Sequence, residues 1–227
     1  MSRFSLHCWA LVLAMLCTTG CVNHGTRNHT TAYEGDLATT PRLESLPQPD
    51  LELAKMSNRM RFAFSLAEES FEIRHPTLPG PSNMKDLQDW ASKELEPWLR
   101  RKNERVEAAR AELDLAASES HRERILAGAL VGLLYEDVAR VLLNVPTPID
   151  LLDEPEIAQI YREIIDFQAR PYLEHAFRAY RACALNAVEP LGMRHFSSFC
   201  RARAVALPRD DGAVNSDEFI FVHSSSK

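Results

Sequence analysis

Apolar positions recur along the chain at helical rather than strand spacing. The stripe Leu53, Met56, Met60, Ala63, Phe64, Ala67 and Phe71 predicts a first helix over 51–74. The segment His75-Pro76-Thr77-Leu78-Pro79-Gly80-Pro81 ends it, because prolines this dense remove the donors a helix needs. A second stripe, Leu87, Trp90, Ala91, Leu95, Trp98 and Leu99, predicts a helix from Ser82 to 117. Pro97 should kink or break it. Its second half, Arg100 to Asp114, mixes both signs of charge and reads as a solvated face.

The third helix opens on a capping box, Ser120-His121-Arg122-Glu123. Ile125 to Leu134 then runs for ten residues without a charge, so this helix belongs in the middle of the domain. Gly128 and Gly132, four apart, allow a close helix approach there. Glu136-Asp137 interrupts the apolar run and reads more readily as a polar stripe than as a buried acid pair. A fourth helix follows Val145-Pro146-Thr147-Pro148, with Asp153 as its cap, Pro155 in its first turn and Glu156 completing the box. Its stripe is Ile157, Ile160, Tyr161, Ile164 and Ile165. Pro171 should divide it from a fifth helix carrying Leu173, Ala176, Phe177, Tyr180 and Ala184, and a sixth spans 193–206. The expected fold is all-α: a helical bundle or helical-hairpin array of about six helices, occupying residues 50–207.

The ends of the chain differ from this body. Among residues 1–20 only Arg3 is charged, and an apolar run follows from Leu6 through Leu16. The run is too short to span a bilayer, which takes about 20 apolar residues. A basic start, a short apolar core and the small residues Thr18, Thr19 and Gly20 make a secretory signal. Immediately after them comes Cys21. The junction resembles the bacterial lipobox, although the Leu usual three residues before the cysteine is replaced by Thr18. The resemblance implies cleavage before Cys21 and lipidation of its thiol, with palmitate-type acyl chains as the membrane anchor. Val22 rather than Asp after the cysteine points, within that family, to the outer membrane facing the periplasm. Residues 21–49 are rich in Asn, Thr, His and Pro, and read as a disordered tether. The tail 208–227 is acidic and then serine-rich, interrupted by Phe219-Ile220-Phe221-Val222, which leaves room for a short docked segment.

Composition agrees with helices: Ala, Leu, Glu and Arg dominate, and glycine occurs only 8 times in 227 residues. The net charge is −6, one unit more negative once Arg3 is cleaved away, which argues against nucleic acid as a partner. Cys8 and Cys17 leave with the signal. Cys183 and Cys200 remain, and an even pair in an oxidising compartment predicts one disulfide, two buried thiols being the other reading.

Charge is uneven along the C-terminal half. Residues 150–166 carry six acids against Arg162, whereas 167–209 carry seven arginines against Glu174 and Glu189. Arg178, Arg181, Arg194, Arg201 and Arg203 could share a face that binds an anionic polymer or lipid. The plainer expectation is that they pair with the protein's own acidic helix at 150–166.

Ala176, Tyr180, Cys183 and Ala184 have the small-aromatic-small spacing of a second helix, with Pro190 beyond it. The segment resembles a tetratricopeptide-repeat hairpin with Ile160, Ile164 and Phe167 on the first helix. That implies a protein-binding groove, but no second copy stands at a 34-residue period. Glu69-Ser70-Phe71 is similar to the Glu-Ser pair of lytic transglycosylases, without their glycine-leucine-methionine-glutamine block. His75, His121, His175, His195 and His223 are scattered singly, and no metal motif, nucleophile elbow or phosphate loop occurs. The sequence therefore predicts no catalytic residue, metal or cofactor. It predicts a lipid-anchored envelope adaptor or scaffold with an envelope protein as partner, the alternative being an anion-binding module.

Overall fold

A computed structural model describes residues 42–50, 52–188 and 191–207. The signal segment, Cys21, most of the tether and the tail with Phe219–Val222 lie outside these residues. The described residues form α1 (Asn58–Glu72), α2 (Met84–Trp90), α3 (Glu96–Ala116), α4 (His121–Leu143), α5 (Pro155–Asn186) and α6 (Arg194–Ala206), and contain no strand. The all-α bundle is as the periodicity predicts. No helix among them is long and apolar enough to cross a membrane.

Cross-helix contacts fix the topology. Ser70 meets Lys102 and Arg59 meets Glu112, so α1 and α3 are antiparallel. Lys102 meets Asp137 and Glu107 meets Tyr135, so α3 and α4 are antiparallel. His121 meets Asn186 while Tyr180 meets Glu136, which reverses α5 against α4. Ser197 on Ala184 and Arg203 near Tyr180 reverse α6 against α5. Five long helices thus alternate in direction around α4, of whose 23 residues 17 are buried.

α1 starts later than its apolar stripe. Leu53–Lys55 is a 3-10 turn, and Met56 is buried from extended backbone rather than from a helix. Ser57 sets the start: its side chain accepts from Met60 N at 3.0 Å. The Ser57 N–H and hydroxyl both donate to Glu123 of α4, at 2.6 and 3.0 Å. Ser120 caps α4 by accepting from Glu123 N, as expected. Glu123 does not close the reciprocal half of the box, because its carboxylate is committed to α1.

Pro97 is absorbed without a break. Ala91–Leu95 is a π turn in which the Glu96 N–H reaches back five residues to the Ala91 carbonyl. A widened turn just before proline relieves the clash between its ring and the preceding turn. Pro171 departs further from expectation, for it lies inside one continuous 32-residue helix. Ala169 and Ala176, on either side of it, are both fully buried, so one packed stripe runs through the proline and outweighs the lost backbone donor. The hairpin turn that the repeat resemblance requires at Pro171 is therefore replaced by helix. Asp153 is likewise not the cap; Glu154 holds that position, with Pro155 opening α5.

The end of the expected tether is docked. Residues 42–50 include a 3-10 turn, Leu43–Ser45. The Gln48 carbonyl lies 2.5 Å from His195 Nε2, and Asp50 accepts from Arg122 Nε at 2.9 Å. Polar composition hid this segment, because an ion pair and a carbonyl contact hold it rather than an apolar stripe.

Gly128 and Gly132 bring α5 against α4. A Cβ on Gly132 would lie 2.4 Å from a Tyr180 ring carbon, and one on Gly128 would lie 3.1 Å from Cys183 Cβ. Gly132→Ala is expected to destabilise by about 1–3 kcal/mol through overpacking. Gly128→Ala should cost less, since the contact is looser and Ala favours a helix by about 1 kcal/mol over Gly. Denaturant unfolding of the two variants checks the order.

Candidate functional site

Three successive residues of α4 face three different parts of the bundle, because each helical step turns by about 100°. All three, Tyr135, Glu136 and Asp137, are at most 2% exposed. Each has its own polar partners.

Asp137 meets α3 and the loop after α1, and reaches α1 through Lys102. Lys102 Nζ, fully buried, lies 2.6 Å from Asp137 Oδ2 and donates to the Ser70 carbonyl at 2.6 Å. It also sits 5.0 Å from the centre of the Phe71 ring. His75 Nε2 stands 2.9 Å from Asp137 Oδ1, and its ring meets Trp98 edge-on. Burial alone would push the Asp137 carboxyl up. The His75 hydrogen bond and the Lys102 charge together outweigh it and hold the group below its ordinary value. Burial in turn pulls the Lys102 ammonium down, only partly offset by Asp137.

Glu136 meets α5 and α6. It accepts from Tyr180 Oη at 2.7 Å and from the Arg203 guanidinium through both oxygens, at 3.0 and 2.7 Å. Arg140 Nε lies 3.4 Å away, one turn along α4. Burial beside the Glu136 charge pushes the Tyr180 phenol well up, so it stays a donor. Tyr135 donates to Glu107 at 2.6 Å and accepts from Arg110 at 3.0 Å, with the His175 ring stacked 4.8 Å from it. Burial, then the Arg110 and Arg178 charges, lower His175 and favour neutral imidazole. Nearby, Asn103 donates to the Tyr172 hydroxyl at 2.9 Å.

Several expectations change here. Glu136-Asp137 is a buried acid pair, each acid matched by its own cation, and not a polar stripe. Lys102 belongs to the core although charge mixing had marked its segment as solvated. An alternating charge run hides such a residue; the signal was its place one turn after Trp98 on the apolar side. Glu69 is half-exposed and paired with Arg105 at 3.2 Å, whereas Ser70 is buried, so this pair lacks the apolar cleft a protonated glutamate needs. Among the described residues no group of three or more His, Cys, Asp or Glu is placed to hold a metal ion.

The five arginines divide. Arg203 turns inward to Glu136, and Arg178 pairs with Glu174 on its own helix at 3.2 Å. Neither uses the acidic segment 150–166, because α5 carries that segment away along its own axis, at the opposite end from α6. Arg181 and Arg201 come together across a groove between α5 and α6. Its lining is Phe177, Ala184 and Leu185 from α5 and Ala204 and Val205 from α6, and it is a shallow, solvent-open depression of about 280 Å³. Leu185 is 66% exposed and Val205 73%. Arg194 lies apart, at the first residue of α6. Cys183 and Cys200 stand at disulfide distance, Sγ to Sγ 2.10 Å, and join the same two helices.

No family model, curated protein or solved structure matches this chain.

The Asp137–Lys102 pair is expected to behave as a buried ion pair. Asp137→Asn and Lys102→Met should each cost about 3–5 kcal/mol, and Asp137→Leu with Lys102→Met much less than the sum. Because Asp137 is depressed below 3.8 in the fold, its contribution is complete above that value. It is lost as pH falls through the lower folded-state value. Urea titrations across the acid range should show a shallower loss for the double variant than for the wild type.

Proposed function

We propose that this chain is a lipid-anchored bacterial envelope protein whose helical domain acts as a protein-binding adaptor. The reading begins at Arg3, the apolar run and Cys21, which would place the domain outside the cytoplasm, tethered to the membrane by acyl chains. The cysteine pair at disulfide distance fits an oxidising compartment. The observation that carries the adaptor reading is the α5–α6 groove, with Leu185 and Val205 exposed between Arg181 and Arg201. Isolated exposed aliphatics are ordinary, but two that border one groove with cationic rims suit a partner offering apolar side chains beside carboxylates. The alternative, a module for an anionic polymer, loses Arg203 and Arg178 to internal pairs and keeps Arg181, Arg194 and Arg201.

Expression of the wild type and Cys21→Ser in a bacterial host tests the anchor. The wild type should sediment with membranes, incorporate labelled palmitate and begin at Cys21 by mass spectrometry. Cys21→Ser should lose the label. An unacylated wild-type protein with Met1 intact overturns the reading. For the groove, Leu185→Asp should abolish retention of an envelope protein that the wild type keeps in detergent extracts. Retention that depends steeply on salt and not on Leu185 would favour the polymer instead.

A further inference from the structure

The groove that the adaptor reading uses also matches a segment of this same chain. Residues Asp217-Glu218-Phe219-Ile220-Phe221-Val222 put two carboxylates directly before four apolar side chains. The groove puts two guanidinium groups, Arg181 and Arg201, beside the exposed Leu185 and Val205. We propose that this C-terminal segment docks in the α5–α6 groove, with Asp217 and Glu218 against Arg181 and Arg201 and the apolar residues over Leu185 and Val205. It would then act as a tethered competitor for the partner. The proposal rests on the adaptor reading only for the competition; the docking stands on the chain itself.

Reach favours it. α6 ends at Ala206, one residue past Val205, so the chain leaves the helix beside the groove. Leu207, directly after the helix, is already extended. Residues 208–216, nine in number, can span up to about 30 Å at 3.3–3.6 Å each. The α5 side of the groove, Phe177 to Leu185, is only about 12 Å of helix. A linker of this length holds the segment near its site at roughly millimolar effective concentration, so weak docking suffices to fill it. An outside partner must compete with that concentration.

Site-specific photocrosslinking in the full chain tests the docking. A benzophenone amino acid is placed at the exposed position 185, and purified protein is irradiated at dilute concentration. The expected adduct lies within one chain, between position 185 and residues 217–222, mapped by mass spectrometry. Arg181→Glu with Arg201→Glu should reduce its yield several-fold, and adding Asp217→Arg with Glu218→Arg should restore it. Adducts to a second copy, to other segments of the chain, or no adduct to 217–222 overturn the proposal. So does an adduct whose yield ignores the charge reversals. Backbone hydrogen exchange of residues 217–222, slowed in the wild type and faster in the arginine reversal, supplies a second readout that needs no modified residue. The same probe irradiated in cells separates the two readings. A partner adduct there without any tail adduct in the purified chain removes the tail and keeps the adaptor. A tail adduct that persists in cells with no partner adduct keeps the docking and removes the adaptor.

Discussion

The bundle depends on a helix that is almost wholly buried beyond its first turn and yet carries three consecutive polar residues. A buried carboxylate is tolerated only when cations and donors replace the water it has lost. On α4 that requirement applies to Glu136 and Asp137, one step apart and aimed apart. Asp137 is met from the loop after α1 and from α3, through His75 and Lys102, and Glu136 from α5 and α6, through Tyr180 and Arg203, with Arg140 of its own helix beside it. The acids therefore act as two pegs, each fixing one pair of helices against the centre. Apolar surface alone would let helices rotate or slide with modest loss, whereas a buried carboxylate that loses its cation forfeits several kcal/mol. The depressed Asp137 carboxyl is the electrostatic sign of that arrangement.

The two halves of the bundle are fastened differently. On the α1–α3 side the central cation is a single buried lysine, set against the Phe71 ring and the Ser70 carbonyl. On the α5–α6 side the guanidinium fork of Arg203 engages both oxygens of Glu136, and the Cys183–Cys200 contact lies one turn away. α6, the shortest of the long helices, is thus located by a bidentate ion pair and a sulfur contact in addition to Phe196 and Met193 in the core. Precise placement of α6 matters for the surface it shares with α5, since Arg201 and Val205 reach the groove only in this register.

Helical class and the central position of α4 were legible in the sequence, because both rest on periodicity and on an uncharged run; the number of helices was close, with two predicted helices joined through Pro171. Gly128 and Gly132 were legible as a close approach for the same reason. What periodicity could not reveal was tertiary satisfaction. Lys102 looks solvated among neighbours of both signs until Asp137 is seen beside it. Pro171 looks like a terminator until Ala169 and Ala176 are seen buried on one continuous stripe. Gln48 looks like linker until His195 is seen against its carbonyl. In the candidate site, the arginine cluster was legible as composition but not as geometry: two of the five spend their charge within the fold, and two others meet only because α6 folds back on α5. The groove itself had no local signal, since Leu185 and Val205 are ordinary aliphatic residues in their own helices.

Ser57 shows how far the first helix is from being a local structure. Its cap is completed by a carboxylate 66 positions downstream, and that same glutamate belongs to the first turn of α4. The opening turns of two helices thus share one side chain. Neither can be finished before the chain has been made at least as far as Glu123, so a nascent polypeptide emerging N-terminus first must hold α1 in an unsealed state. The native start of α1 is thus sealed only against the first turn of α4.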